Sequence, residues 1–205
     1  MDDARVVLDY WFGRGDPDAE ELAARMRFWF AGGAPGEQHE RDEEVRERFV
    51  DLMLRAERGE LTAWADSPRR RLALILLFDQ FPRQVYRGSA RAFATDPQAL
   101  GLTLSGMQAG ADAALAPAER LFFYMPLQHA ESPEAQDESL AAYRRLLAEV
   151  PETMRGVFQR TLEYAEKHHE IVRRFGRFPH RNRALGRPTA PEELVYLRNA
   201  DTFGQ

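Results

Sequence analysis

Four short stretches set ionisable side chains into apolar parts of this 205-residue chain, and they are the places where chemistry could reside. The first is Asp79-Gln80-Phe81-Pro82-Arg83 with Tyr86-Arg87, directly after the apolar run Leu72 to Phe78. The second is the aromatic run Phe122-Phe123-Tyr124, which leads through Pro126 into His129 and Glu131. The third is His168, on a long helical pattern. The fourth is Phe175-Gly176-Arg177-Phe178-Pro179-His180-Arg181-Asn182. An unpartnered buried polar group costs about 1–3 kcal/mol, so each of these groups implies a partner or a task.

The residue types point to two kinds of chemistry. Asp79, His129, Glu131, His168 and His180 are candidates for general acid–base work, since carboxylate and imidazole exchange protons near neutral pH. Arg83, Arg87, Arg177 and Arg181, with Tyr124 and Asn182, are candidates for holding an anionic ligand, because the guanidinium fork matches carboxylate and phosphate. Each has a plainer alternative. Asp79 and Arg83, four apart, suit an internal ion pair; Glu131 could orient a core histidine; the last stretch could be a solvated basic loop. A divalent-ion site from His129, Glu131, His168 and Asp79 is a further reading. Against it, the usual histidine pair at i, i+4 is missing. No serine elbow, phosphate loop or glycine-rich dinucleotide signature is present, so no cofactor is expected.

The elements that must position these groups read as helices throughout. Alternating apolar–polar strands are absent. Helical segments are expected at 4–12, 18–30, 40–57, 68–81, 97–109, 117–125, 133–149, 152–175 and 191–199. Ser67-Pro68, Asp96-Pro97 and Ser132-Pro133 supply caps before a first-turn proline, and Thr95-x-x-Gln98 and Thr189-x-x-Glu192 fit capping boxes. Leu72 to Phe78 is apolar on every side, which predicts a helix buried at the centre of the array. Pro82 is expected to bend or end that helix, and Pro126 to break the next aromatic one. On the 152–175 helix, ~100° per residue puts His168 within the apolar face and His169 at its rim. Gly176 fits a helix C-cap, and Pro179 blocks continuation.

Composition narrows the class. No cysteine is present, which removes disulfides, thiolate metal sites and cysteine nucleophiles together. No apolar run approaches the ~20 residues of a membrane span, and the acidic start lacks a signal peptide's pattern; a cytoplasmic protein with no membrane partner is expected. Residues 1–66 hold 17 acidic and 9 basic side chains, net −8, whereas 167–205 hold 8 basic and 4 acidic, net +4. The acidic whole excludes a general nucleic-acid binder, yet its basic end can hold a small anion. Connections are short, and one domain over 1–205 is expected.

The segments Leu77-Phe78-Asp79-Gln80-Phe81-Pro82-Arg83 to Gly88, Phe123 to Glu131, and His168 with Arg174-Phe175-Gly176-Arg177-Phe178-Pro179-His180-Arg181-Asn182 and Leu185-Gly186-Arg187 resemble hallmarks of one bacterial family, DUF924. The resemblance runs nearly end to end. It implies an all-α helical array similar to tetratricopeptide-repeat folds, without a clean repeat in sequence. It implies that the quoted positions form a shared site, and it implies no activity. Two functions therefore compete: a small-molecule binder or enzyme with a His/Arg/carboxylate pocket, and a protein- or peptide-binding scaffold.

Overall fold

The computed structural model describes residues 2–15, 19–30, 36–198 and 200. Among them the chain is all-helical, with no strand. The helices are α1 (Asp3–Phe12), α2 (Ala19–Phe30), α3 (Glu37–Glu57), α4 (Pro68–Asp79), α5 (Phe81–Val85), α6 (Asp96–Gln108), α7 (Pro117–His129), α8 (Pro133–Glu149), α9 (Glu152–Phe175) and α10 (Pro191–Leu197). The glycine-rich stretch read as a loop lies, at 31–35, outside the described residues. No described helix is long and apolar enough to cross a membrane.

Why α4 sits at the centre follows from its composition. Every residue from Leu72 to Asp79 is buried, so no face can be given to water. Helices α1, α3, α6 and α7 pack around it, α8 covers α7, and α9 covers α8. Aromatic rings fill the seam between α1 and this core. Trp11 meets Phe81 and Phe122 at ring distances of 5.5 and 5.3 Å.

The prolines act differently from one another. Pro82 does end α4: the helix stops at Asp79 and restarts as the short α5 after Gln80. Pro126, expected to break its helix, does not, and α7 runs through it to His129. Neighbouring helices brace the turn before it. Thr103 of α6 donates to the Phe123 carbonyl at 2.9 Å, and Tyr143 of α8 donates to the Leu121 carbonyl at 3.0 Å. The carbonyl that loses its amide donor to Pro126 is that of Phe122, which lies between these two held groups.

The caps are mixed. Ser132 accepts from the Ala135 amide, as expected. Ser67 and Thr95 make no such bond, and Asp96 lies inside α6 rather than capping it. The last box is shifted by one residue, with Glu193 accepting from the Ala190 amide at 2.8 Å.

Candidate functional site

The end of α4, the end of α7, the middle of α9 and the loop after α9 converge on one buried cluster. Asp79 is fully buried, and His129, 50 residues away, donates from Nδ1 to its carboxylate at 2.8 and 3.0 Å. The break at Gln80 turns the chain so that Arg83 reaches back. Its Nη1 donates to the Asp79 carbonyl at 2.5 Å and lies 3.7 Å from the Asp79 carboxylate. The wider fork of Arg83 is taken by Asp96, at 2.8 and 3.0 Å. Asp96 also accepts from Arg181 at 3.3 Å. Arg181 is buried between two rings, 4.7 Å from Phe93 and 4.5 Å from Phe178.

His168 completes the cluster from α9. It is buried, as the angular reading of that helix predicts, while His169 lies nearer the rim and bonds Asp137. The His168 ring is 6.2 Å from that of His129 and 5.4 Å from Phe178. Its Nδ1 lies 2.8 Å from the Tyr164 carbonyl. A carbonyl only accepts, so this nitrogen carries the proton. His180 lies close by, its ring 5.5 Å from Phe178.

Electrostatics keep both buried imidazoles neutral. Burial pushes His168 down to about 3, helped by the neighbouring His129. Burial likewise lowers His129, and Asp79 pulls it back only in part. For Asp79 burial acts upward, but His129, Arg83 and Gln80 outweigh it and hold the carboxyl at about 2. Burial and the charge of Arg83 bring Arg181 down to about 10. An ionised Asp79 accepts only, so the proton between it and His129 belongs to Nδ1. His129 Nε2 then bears the lone pair, and it makes no hydrogen bond to a described residue.

The other candidates group elsewhere. Glu131, two residues beyond His129, turns away from it. It accepts from both Arg187 nitrogens at 2.6 and 2.9 Å and from the Phe178 amide at 2.7 Å. Asn182 is buried, accepts from Arg187 Nε at 3.0 Å and donates to Glu193 at 3.1 Å. Arg177 binds Glu193 through two bonds of 2.7 and 2.9 Å. The loop that follows α9 is thus a packed clamp, begun by Gly176 at φ +69° with its amide on the Val172 carbonyl. Arg87 does not join Arg83: it binds Asp42 on α3 at 2.8 and 3.0 Å. Tyr124 is also apart, its hydroxyl donating to Asp112 at 2.6 Å.

Three positioning residues escaped the sequence reading. Asp96 bridges two arginines, but beside Pro97 it reads as a cap. Glu193 holds the clamp from α10, one residue from where the capping box is read. Gln136 is buried on the apolar face of α8 and donates to the Gln128 and Ala130 carbonyls at 2.7 and 2.8 Å, fixing the turn that presents His129. A polar side chain on that apolar stripe was a readable signal. Among the described residues no group of three or more His, Asp or Glu side chains is disposed to hold a metal ion.

Comparison with known proteins adds kinship. Residues 7–201 match the model of a family described as bacterial protein of unknown function, DUF924. A solved structure, that of the protein of unknown function ATU0120 from Agrobacterium tumefaciens, superposes with a TM-score of 0.71 at 37% identity. The match covers 89% of this chain and 100% of that one. No curated protein matches the chain.

Proposed function

This chain belongs to the bacterial DUF924 family, and we propose that its Asp79–His129 pair is a general-base site that takes a proton from a small weakly acidic molecule and holds the anion so formed. The observation that carries this reading is the 2.8 Å bond from His129 Nδ1 to a fully buried carboxylate. Such a bond fixes the ring and its tautomer and leaves Nε2 as the proton acceptor. When Nε2 takes a proton, the imidazolium is stabilised by Asp79, and the conjugate anion is left near Arg181. Arg83 and Asp96 act one step back, holding Asp79 and Arg181 in place.

The alternative, a peptide-binding scaffold of the tetratricopeptide kind, would call for an apolar groove. The exposed large apolar side chains Phe30, Leu104, Tyr164, Leu194 and Val195 sit on four different helices, which does not favour it.

The test is a thermal-shift screen of the full chain against small carboxylic acids, phosphates and other weak acids. A ligand bound to the folded state raises its melting temperature. Stabilisation by at least one weak acid, lost in His129→Gln at unchanged helical content, is the expected result. Every stabilising compound keeping its full effect in His129→Gln, or no stabilisation from any compound, overturns the reading.

A further inference from the structure

We infer that a second site, separate from the buried cluster, lies in the cleft among α1, α2 and α3 and takes a small organic carboxylate on Arg25. The cleft has a volume of about 510 Å³, within the range of ~300–1,000 Å³ typical of small-molecule sites. Arg14, Arg25 and Arg48 line it together with Asp9, Tyr10 and Phe28. Two of these cations are already answered. Arg48 binds Glu44 at 2.6 Å, and Arg14 lies 3.8 Å from Asp9. They contribute field rather than a free fork.

Arg25 differs from the arginines of the cluster and the clamp. Arg83, Arg177, Arg181 and Arg187 each hold a carboxylate. Among the described residues Arg25 pairs with none. Its Nη1 lies 3.5 Å from the Tyr10 carbonyl, and its guanidinium sits 5.5 Å from the Phe28 ring centre. The turn that closes α1 makes room for it. At Gly13, φ +81°, a Cβ would fall 2.5 Å from Arg25 Nη2. The guanidinium therefore rests against bare backbone, with no carboxylate partner among the described residues.

A second donor stands in the same cleft. The Tyr10 hydroxyl is buried, makes no hydrogen bond of normal geometry among the described residues, and stands beside the Glu44 carboxylate, its nearest candidate acceptor. Burial, followed by the charge of Glu44, pushes its pKa up to about 12, so it remains a donor at neutral pH. A carboxylate has two oxygens in one plane, suited to a guanidinium fork with one further hydroxyl donor. Val6 and the Phe28 ring give an apolar body somewhere to lie.

The probe is benzoate, titrated by calorimetry and by NMR into the full chain. Saturable binding is expected, about tenfold or more weaker in Arg25→Gln, the loss of one charged hydrogen-bonded contact. Tyr10→Phe should weaken it by a smaller factor. The Arg25 Nε–H signal should move on titration while the His129 and His168 ring signals stay in place. No saturable binding, equal binding by Arg25→Gln, or movement of the two histidine signals instead would overturn the site. Tighter binding of phenyl phosphate than of benzoate would overturn the choice of carboxylate.

Discussion

The Asp79 cluster and the Glu131–Glu193 clamp are built from the same kinds of residue and stand side by side, yet they differ in what is left over. In the clamp, Arg187 meets Glu131, Arg177 meets Glu193, and Asn182 ties the two pairs together. Donors and acceptors match, and the outcome is a rigid loop. In the cluster, Arg83 and Arg181 are matched by Asp79 and Asp96, and two neutral imidazoles remain beyond that balance. Ion pairs that close on themselves build a scaffold. A carboxylate that spends a lone pair on a histidine makes that histidine a base.

Breaking the cluster should therefore cost more than breaking the clamp. Asp96→Asn leaves Arg83 and Arg181 buried with one carboxylate between them. Removing one partner of a buried network costs about 3–5 kcal/mol, and urea unfolding should show a loss of that size. Glu131→Gln removes the bidentate partner of Arg187 from a partly exposed site, and about 1.5 kcal/mol is expected after allowance for solvent screening. Equal losses in the two variants would erase the distinction.

Titration sharpens the contrast. His168 has its folded pKa at about 3, below the ~6.5 of an unfolded histidine. Below pH ~6.5 the unfolded chain takes up a proton that the folded chain refuses. This part of the stability is complete above pH ~6.5 and is lost as pH falls toward 3, with a slope of up to about 1.4 kcal/mol per pH unit. His168→Gln should flatten the stability–pH curve in that window. In the clamp the sign is the same but the window lower. Glu193, held at about 2 by Arg177, gives stability that is present above pH ~4.3 and lost as pH falls toward 2. Glu193→Gln should leave the curve between pH 5 and 6.5 unchanged. The smallest effect belongs to Arg87, paired with Asp42 away from both regions, where Arg87→Ala should cost about 0–1 kcal/mol in the same urea experiment.

How far these regions are legible in the sequence follows the range of the forces. Helix existence is local, and the expected segments correspond to α1–α4 and α6–α10 within a few residues, since period and punctuation belong to neighbouring residues. The inward turn of His168 is legible for the same reason. The Asp79–His129 bond is not, because it needs α4 packed against α7 across 50 residues, and no local pattern carries that. Asp96 misleads because the Asp-Pro pair has a local meaning which a distant pair of guanidiniums overrides. Pro126 misleads because the packing that braces α7 around it, including the bonds of Thr103 and Tyr143 to the carbonyls on either side of Phe122, comes from other helices. The four arginines expected to gather round one anion are individually well chosen as recognition groups. Which carboxylate each one meets is decided by tertiary packing alone.

The most direct test of the Asp79–His129 base is the nitrogen NMR of the histidine side chains in the full chain at pH 7. Both His129 and His168 should be neutral and carry their proton on Nδ1, and Asp79→Ala should release His129 from that tautomer while leaving His168 in it. An imidazolium at His129, or a proton on its Nε2, would contradict the assignment of that nitrogen as the proton acceptor.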